Sequence, residues 1–492
     1  MGSPQTTEAI ADSKGHPRGL YTLFFTEMWE RFSYYGMRAL LVLFMTDAVR
    51  GGMGLTDKVA TAIYGLYTAG VYLSALPGGW IADRFLGAQR SVWFGGITIT
   101  IGQFLLLFPR SETFYLGLLC VVCGTGLLKP NISAIVGELY PEGGARRDAG
   151  FTIFYMGINL GAAISPLITG ALGEKVGWRY GFGTAGFGML LGLTQFRFTR
   201  RHLGAVGQRP ATPATTRDKA VLGALIGAVS LVTALLLSGA VRVNPIIVAQ
   251  GTAYLIAAVA VFYFTCALFF FNLDPGEKRR VAVIAILFLA SALFWSGFEQ
   301  AGSSLNLFAE RYTVRFIGFM NYEIPAGWFQ SLGPIFVISL APVMAGLWVA
   351  LARRGLNPSL PLKFAYGLLL LGAGFFVMAM ASRSVGNGKV WPTWLMTTYL
   401  LHTFGELCIS PVGLSSVTKL APKRLVGQMM GLWFLATSLG NLFAGLMAGE
   451  VAAGDAAAMS ARYTHVVIIA GIGGIALLAL KNPIKRLAAG CD

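Results

Sequence analysis

Charged residues are scarce in this chain. Asp, Glu, Lys and Arg together make up 12% of its 492 residues, whereas 55% of the residues are hydrophobic. Soluble globular proteins contain about a quarter charged residues, so this composition excludes that class and predicts many membrane-spanning helices. The sequence is therefore interpreted as an all-α polytopic membrane protein.

Residues that carry metal or covalent chemistry are also few. The chain has four histidines and five cysteines, and it contains neither an HExxH nor a GxSxG motif. Cys120 and Cys123 form a CxxC pattern, but they lie in an apolar segment without further ligands, so we interpret them as packing residues. We therefore predict that the protein is not an enzyme, binds no metal and needs no cofactor.

Acidic residues are outnumbered by basic ones, which gives a formal charge of +16. Most of the 38 Lys and Arg fall in loops and tails on the side of the membrane that holds the amino terminus. Because short basic loops stay in the cytoplasm, both termini are predicted to be cytoplasmic, in the inner (plasma) membrane of the cell. The basic excess thus indicates topology and gives no reason to expect a nucleic-acid partner.

Fourteen apolar segments are long enough to cross a bilayer, and they form two groups of six separated by a pair. Two six-helix bundles joined by a cytoplasmic linker are the layout of the major-facilitator fold, which binds its substrate at the midplane between the bundles. The predicted divisions are a tail over 1–19, a bundle over 20–198, a basic linker over 199–218, an extra two-helix hairpin over 219–272, a second bundle over 273–480 and a tail over 481–492.

Ionisable residues inside the apolar segments are the main functional signal. A charge at the bilayer centre costs about 2.5–3.5 kcal/mol on insertion scales, so such residues need partners and often mark solute or proton paths. A structural ion-pair cluster that ties helices together is the alternative. Helical spacing places Glu27 and Arg31 on one face of the first segment. The complete set is Glu27, Glu30, Arg31, Arg38, Lys129, Glu299 and Glu406.

Two ion pairs between the sequence halves are predicted as gates. Arg38 and Glu299 lie toward the outer ends of their segments. Lys129 lies in the inner part of its segment, and Glu406 lies within its own, so these two form the inner pair. Protonation of the carboxylate would break either pair and open one side of the protein. A static brace between helices is the alternative for each pair.

A cavity with cations in one half and a carboxylate in the other suits a zwitterion. Arg31 and Lys129 would attract its carboxylate, and Glu406 its ammonium group. For each Tyr or Trp among the neutral candidates, the alternative is helix packing or an anchor at the membrane interface. These candidates are Tyr34, Tyr35, Tyr72, Tyr155, Asn159, Trp295, Ser410 and Trp433.

At these residues the whole chain resembles the proton-dependent oligopeptide transporter (POT or PTR2) family. The motifs that carry the resemblance are ExxER at 27–31, GTGLLKPNIS with Lys129, FYMGINLG with Asn159, FW…EQ with Trp295 and Glu299, and GELCISPVGLS with Glu406. The resemblance implies a symporter in the lipid membrane that imports di- and tripeptides with protons by alternating access. It also implies a bacterial-type hairpin. Nothing in the sequence demands more than a monomer, so a monomer is expected.

The resemblance assigns roles to individual residues. It implies proton coupling for Glu27, Glu30, Arg31 and Glu299, and an outer gate formed by Glu299 with Arg38. It further implies that Arg31 and Lys129 meet the peptide carboxylate, that Glu406 and Asn159 meet the peptide amine and backbone, and that Lys129 pairs with Glu406 when the inner gate closes.

Three positions depart from the family pattern. Gly333 stands where bacterial relatives often have Asn, Gly65 lies near the functional histidine of animal members, and Pro77 is shifted within the second segment. His402, one turn before Glu406, is interpreted as a packing or lipid-facing residue, and tuning of Glu406 is the alternative. Alternatives to peptide symport are proton-coupled transport of another anion or zwitterion, such as nitrate, a drug or a modified amino acid, and a peptide sensor that does not transport.

Overall fold

The structure is a computed structural model that describes residues 15–108, 110–142, 144–210, 212–241, 243–318, 321–449 and 456–488. Most of the predicted tail 1–19 and the last four residues of the predicted tail 481–492, with Cys491, lie outside the described residues.

The described chain is almost entirely helical, as predicted. Helices satisfy their own backbone hydrogen bonds, which hydrocarbon cannot do for them. One two-stranded antiparallel ribbon, β1 (Phe316–Ile317) with β2 (Tyr322–Glu323), interrupts the helices. The helices are α1 (Arg18–Thr46), α2 (Asp57–Leu73), α3 (Ala75–Ile81), α4 (Ala88–Leu105), α5 (Ser111–Glu138), α6 (Gly144–Lys175), α7 (Trp178–Thr199), α8 (Thr216–Leu237), α9 (Pro245–Phe269), α10 (Pro275–Phe298), α11 (Ser304–Tyr312), α12 (Leu332–Arg353), α13 (Leu360–Ser384), α14 (Thr393–Leu420), α15 (Val426–Ala448), α16 (Ala456–Ala479) and α17 (Lys481–Leu487).

Ten helical segments within the described ranges are long and apolar enough to cross a membrane by length and composition alone. Helix α1 is not among them, although its 29 residues are long enough to span a bilayer. Its charged residues interrupt the apolar run. These charged residues are also the candidate functional residues of α1.

The second predicted span is broken into α2 and α3. Pro77 has no N–H for the carbonyl oxygen of Leu73, four residues earlier, so the helical hydrogen-bond ladder fails at this point. Ser74 lies at the break, and its hydroxyl donates to the carbonyl oxygen of Val122 on α5, 2.8 Å away. The shifted proline therefore coincides with the break between α2 and α3.

The chain forms two compact units that do not follow sequence order. Unit 1 contains the chain up to Met37 and Ser74–Arg242, and unit 2 contains Arg38–Leu73 and Val243–Asp492. Helix α1 thus passes from one unit into the other. The predicted bundles 20–198 and 273–480 divide the chain by sequence order, whereas these units divide it by contact, so the predicted boundaries stay a prediction.

Within unit 2, α2 and α15 approach closely at glycines. A Cβ added to Gly65 would lie 3.1 Å from the Cα of Gly445, and a Cβ on Gly445 would lie 2.5 Å from the carbonyl oxygen of Thr61. Small residues allow helix backbones to meet in membranes, where packing drives association. At position 65 the surrounding backbone leaves no space for a histidine.

We expect Gly445→Ala to destabilise the protein by about 1–3 kcal/mol, because the added methyl group would push α15 away from α2. The control is Gly346→Ala in α12, where an added Cβ meets nothing within 4 Å. Alanine is the better helix former, so the control should keep or slightly raise the thermal midpoint. Equal midpoints for both variants in detergent would contradict the close-packed contact.

Candidate functional site

The ionisable residues of α1 in unit 1 form one buried cluster. Arg31 Nε lies 2.9 Å from Glu27 Oε1 and 2.5 Å from Glu30 Oε2. All three residues are at most 4% exposed. Within the described part of the chain, Glu27 Oε2 and Glu30 Oε1 have no hydrogen-bond partner. One guanidinium is therefore shared by two carboxylates, each of which keeps an oxygen that can accept a proton.

Glycines of α6 and α7 in unit 1 allow these two helices to pack closely against α1. A Cβ on Gly161 of α6 would clash with the carbonyl oxygen of Met28, and a Cβ on Gly192 of α7 would lie 2.7 Å from the Cβ of Trp29. The backbone that carries the cluster is thus fixed between α6 and α7, while the 3- and 4-residue spacing keeps the three ionisable side chains together.

Aromatic and basic residues surround this cluster. The guanidinium carbon of Arg31 lies 5.4 Å from the ring centre of Tyr34, a cation–π distance, and Tyr34 meets Tyr35 edge to face. Lys129 of α5 is half-buried and interacts electrostatically with Glu30. Unit 1 therefore brings both predicted cations to the same carboxylates.

The other candidates of unit 1 lie on α6. Asn159 is buried, and its side-chain amide donates to the carbonyl oxygen of Tyr155 at 3.0 Å. Its carbonyl oxygen and second amide hydrogen are left for other partners. Tyr155 is 40% exposed, so packing inside unit 1 does not account for its side chain.

In unit 2, Arg38 of α1 contacts Glu299. Arg38 Nη2 lies 2.6 Å from Glu299 Oε2, and both residues are buried. Glu299 begins a 3₁₀ turn, Glu299–Gly302, directly after α10. The cation therefore also faces the negative end of a helix dipole, which favours it. That this pair opens during transport stays a prediction.

A tyrosine that sequence reasoning missed completes the pair. Arg38 Nε donates to Tyr64 Oη at 2.6 Å, and Tyr64 Oη donates to the carbonyl oxygen of Glu299 at 3.4 Å. A Cβ on Gly302 would collide with the Tyr64 hydroxyl, so this turn needs glycine. Nothing in the sequence links Tyr64 to Arg38; the only signal is a polar-tipped ring within an apolar segment.

The remaining candidates of unit 2 surround α14 and α15. Glu406 is half-buried and forms no ion pair with a described residue of its own unit. Trp295 packs against Phe294 and Phe298, and Trp433 packs edge to face on Phe364. A role of either ring in substrate binding stays a prediction. Tyr72 and Ser410 are half-buried.

His402 is buried against the Phe375 ring, with ring centres 4.9 Å apart. It is therefore a packing residue within unit 2 and does not face lipid. This resolves the two structural interpretations that the sequence left open.

Comparison with known proteins assigns the family. The family model PTR2, described as the POT family, matches residues 89–465. The peptide transporter YePEPT of Yersinia enterocolitica is 44% identical over 489 residues, covering 96% of this chain and 95% of the relative. The chain belongs to the POT family.

Two further comparisons agree with the POT family fold. A di-/tripeptide transporter of Lactococcus lactis is 37% identical, with 96% of this chain and 97% of the relative covered. The crystal structure of a peptide transporter POT in complex with sulfate has a TM-score of 0.90 at 40% identity, covering 97% of each chain. This POT protein is therefore a multi-pass membrane transporter with the fourteen-helix major-facilitator fold, and not an enzyme.

The candidate residues of this POT protein are divided between the two units. Lys129 belongs to unit 1 and Glu406 to unit 2, so their pairing as an inner gate stays a prediction. Unit 1 holds Glu27, Glu30, Arg31, Tyr34, Tyr35, Lys129, Tyr155 and Asn159, and unit 2 holds Arg38, Tyr72, Trp295, Glu299, Glu406, Ser410 and Trp433.

We expect Tyr64→Phe to weaken the Arg38–Glu299 pair, because a hydrogen bond to a charged group contributes about 1.5–3 kcal/mol. The measurement is the thermal midpoint of Tyr64→Phe, Glu299→Gln and the double variant. Residues in one network are non-additive by about 0.5–3 kcal/mol, so the double variant should lose less than the sum of the single losses.

The control for this double-mutant cycle is Tyr263→Phe. It removes a hydroxyl of α9 that donates a hydrogen bond to Gln428 of α15, also in unit 2. Its effect should add to that of Glu299→Gln. Additive losses for Tyr64→Phe as well would show that Tyr64 does not support the pair.

Proposed function

We propose that the protein is a proton-coupled symporter that imports di- and tripeptides by alternating access. The observation that carries this proposal is the single guanidinium of Arg31 shared by two buried carboxylates on α1. Family membership supports it, since one relative is named a peptide transporter and another a di-/tripeptide transporter.

Proton and peptide binding are linked through Arg31. When Glu27 or Glu30 accepts a proton, Arg31 loses one of its two anionic partners. A guanidinium has five N–H donors in a planar fork that matches a carboxylate, so the peptide carboxylate can take the vacated position. A proton taken up by the α1 cluster therefore favours peptide binding.

The bipolar arrangement extends this recognition. Lys129 adds positive charge near the same carboxylates, and Glu406 supplies the negative charge for the peptide ammonium group. Asn159 offers its carbonyl oxygen and second amide hydrogen to the peptide backbone. Tyr34 and Tyr35 border the carboxylate end of this site.

The Arg38–Glu299 pair supplies the outer gate. Removing one partner from a buried ion pair costs about 3–5 kcal/mol, so the pair stays closed while both groups are charged. Protonation of Glu299 removes the attraction and leaves Arg38 with the Tyr64 hydroxyl as a partner. The gate thus opens with proton uptake from outside.

In this proposal the protein lies in the inner (plasma) membrane with both termini in the cytoplasm, which the distribution of basic residues supports. It is proposed to work as a monomer. The proton gradient across that membrane drives accumulation, and no cofactor takes part.

The test is uptake of labelled dialanine into proteoliposomes with an acidic exterior, measured with and without a protonophore. We expect accumulation that collapses when the protonophore is added. Correctly oriented, folded protein that accumulates no dialanine would redirect the proposal to another zwitterion or anion. Dialanine binding without flux would identify a sensor.

We expect Glu30→Gln and Glu299→Gln to abolish proton-driven accumulation while retaining dialanine counterflow. The reason is that an amide side chain does not ionise, so it cannot take up and release the coupling proton. The measurement is driven uptake and counterflow on the same liposomes. Glu112→Gln is the matched control, since this carboxylate in the first turn of α5 is exposed. Equal loss of both activities in a folded Glu30→Gln or Glu299→Gln variant would argue against coupling by that residue.

A further inference from the structure

Helices α4 and α7 of unit 1 pack against each other in opposite directions. A Cβ on Gly96 of α4 would lie 2.7 Å from Leu193 Cδ2 of α7. Further along α4, Phe104 Cε1 would lie 3.1 Å from a Cβ on Gly186, which comes earlier on α7. The first turn of α4 therefore lies level with the last turn of α7.

Each helix presents a stripe of accessible side chains that reaches arginine at this level. Along each stripe the residues are three or four positions apart, the spacing that keeps side chains on one helical face. The stripe of α4 contains Arg90, Phe94, Ile97 and Ile101, and that of α7 contains Leu190, Thr194, Arg197 and, in the 3₁₀ turn that continues α7, Arg201. Ile97 is half-buried, and the other members are exposed.

Both stripes face the same side of the contact between α4 and α7. The rings of Phe104 and Phe187 meet edge to face across it, with their centres 5.4 Å apart. Phe104 lies three residues after Ile101, and Phe187 lies three residues before Leu190, so each ring continues its stripe. The two stripes form one surface, the α4–α7 seam, which is apolar toward the phenylalanine pair and basic at the opposite end.

The basic end of the seam has no acidic residue on its own helices to balance it. Residues 88–107 and 178–210 contain neither Asp nor Glu. Within the described part of the chain, the three seam arginines form no ion pair. Arg200 adds a further exposed guanidinium beside them. This end of unit 1 therefore carries an excess of positive charge that an anion can neutralise.

The seam combines two features that together fit a phospholipid. A guanidinium forms paired hydrogen bonds with phosphate oxygens, so the basic end suits an anionic headgroup. Exposed apolar side chains such as Phe94 and Leu190 continue from it along two membrane helices, where they suit acyl chains. A free phosphate ion or an acidic loop of another protein would contact the arginines but leave the apolar part of the seam uncovered.

We propose that the basic end of the α4–α7 seam binds the phosphate of an anionic phospholipid whose acyl chains lie along the apolar part of the seam. In the proposed topology this is the cytoplasmic end, so the lipid belongs to the inner leaflet. Basic residues next to membrane-spanning helices attract anionic lipids at that surface. The seam shares no residue with the proposed transport site.

The experiment uses the full chain, stripped of lipid in detergent and titrated with phosphatidylglycerol or with phosphatidylcholine of the same acyl chains. Native mass spectrometry counts the bound lipid. Arg90→Gln, Arg197→Gln and Arg201→Gln each remove one charge from the seam. Arg179→Gln is the matched control, because this exposed arginine lies in the first turn of α7, at the other end of the same helix. Thermal midpoints check that each variant is folded.

We expect the wild type and Arg179→Gln to bind one phosphatidylglycerol about tenfold more tightly than phosphatidylcholine. Each seam variant should bind phosphatidylglycerol about fivefold more weakly, and Arg197→Gln combined with Arg201→Gln should lose most of the preference for it.

Equal affinity of the wild type for both lipids would overturn the proposal, and so would an equal loss in Arg179→Gln and the seam variants. Displacement of phosphatidylglycerol by inorganic phosphate at a similar concentration would also overturn it, because the seam would then bind a free anion without using its apolar part. The three single variants lie on two helices, so a folding failure in one leaves the others to decide. None of these readouts depends on peptide transport.

Discussion

The need to pair the charges of α1 inside hydrocarbon organises the functional part of this protein. Helix α1 carries Glu27, Glu30, Arg31 and Arg38 within a membrane-spanning length, and each has an oppositely charged partner. Three of them pair within the helix, whereas Arg38 pairs with Glu299, far away in the sequence. The first pairing is local to α1, while the second connects α1 to the end of α10.

Both pairings lie on one continuous helix that passes from unit 1 into unit 2 between Met37 and Arg38. Seven residues of α-helix separate Arg31 from Arg38, about 10 Å along the axis. The ExxER cluster at 27–31 and Arg38 therefore lie on the same helix. In the proposed mechanism, this shared helix links proton uptake to gate opening.

Glycines allow helix backbones to approach closely beside the α1 cluster and beside the Arg38–Glu299 pair. Gly161 admits the α1 backbone beside the cluster, and Gly302 admits the Tyr64 hydroxyl beside Arg38. In lipid, where apolar surface alone does not drive helices together, such contacts fix the geometry. Helix α8 shows the opposite case, because none of its residues is buried.

The sequence by itself determined the membrane class, the helical fold and the position of nearly every intramembrane charge, because these depend on composition and on spacing along one helix. The Glu27–Arg31 contact follows from four-residue spacing alone. The tertiary structure decided what depends on distant segments: Tyr64 as the partner of Arg38, the packing positions of His402 and Trp433, and the division of α1 between two units. Sequence spacing cannot supply these features, since each depends on which helices meet and on where a glycine or a bend allows them to approach.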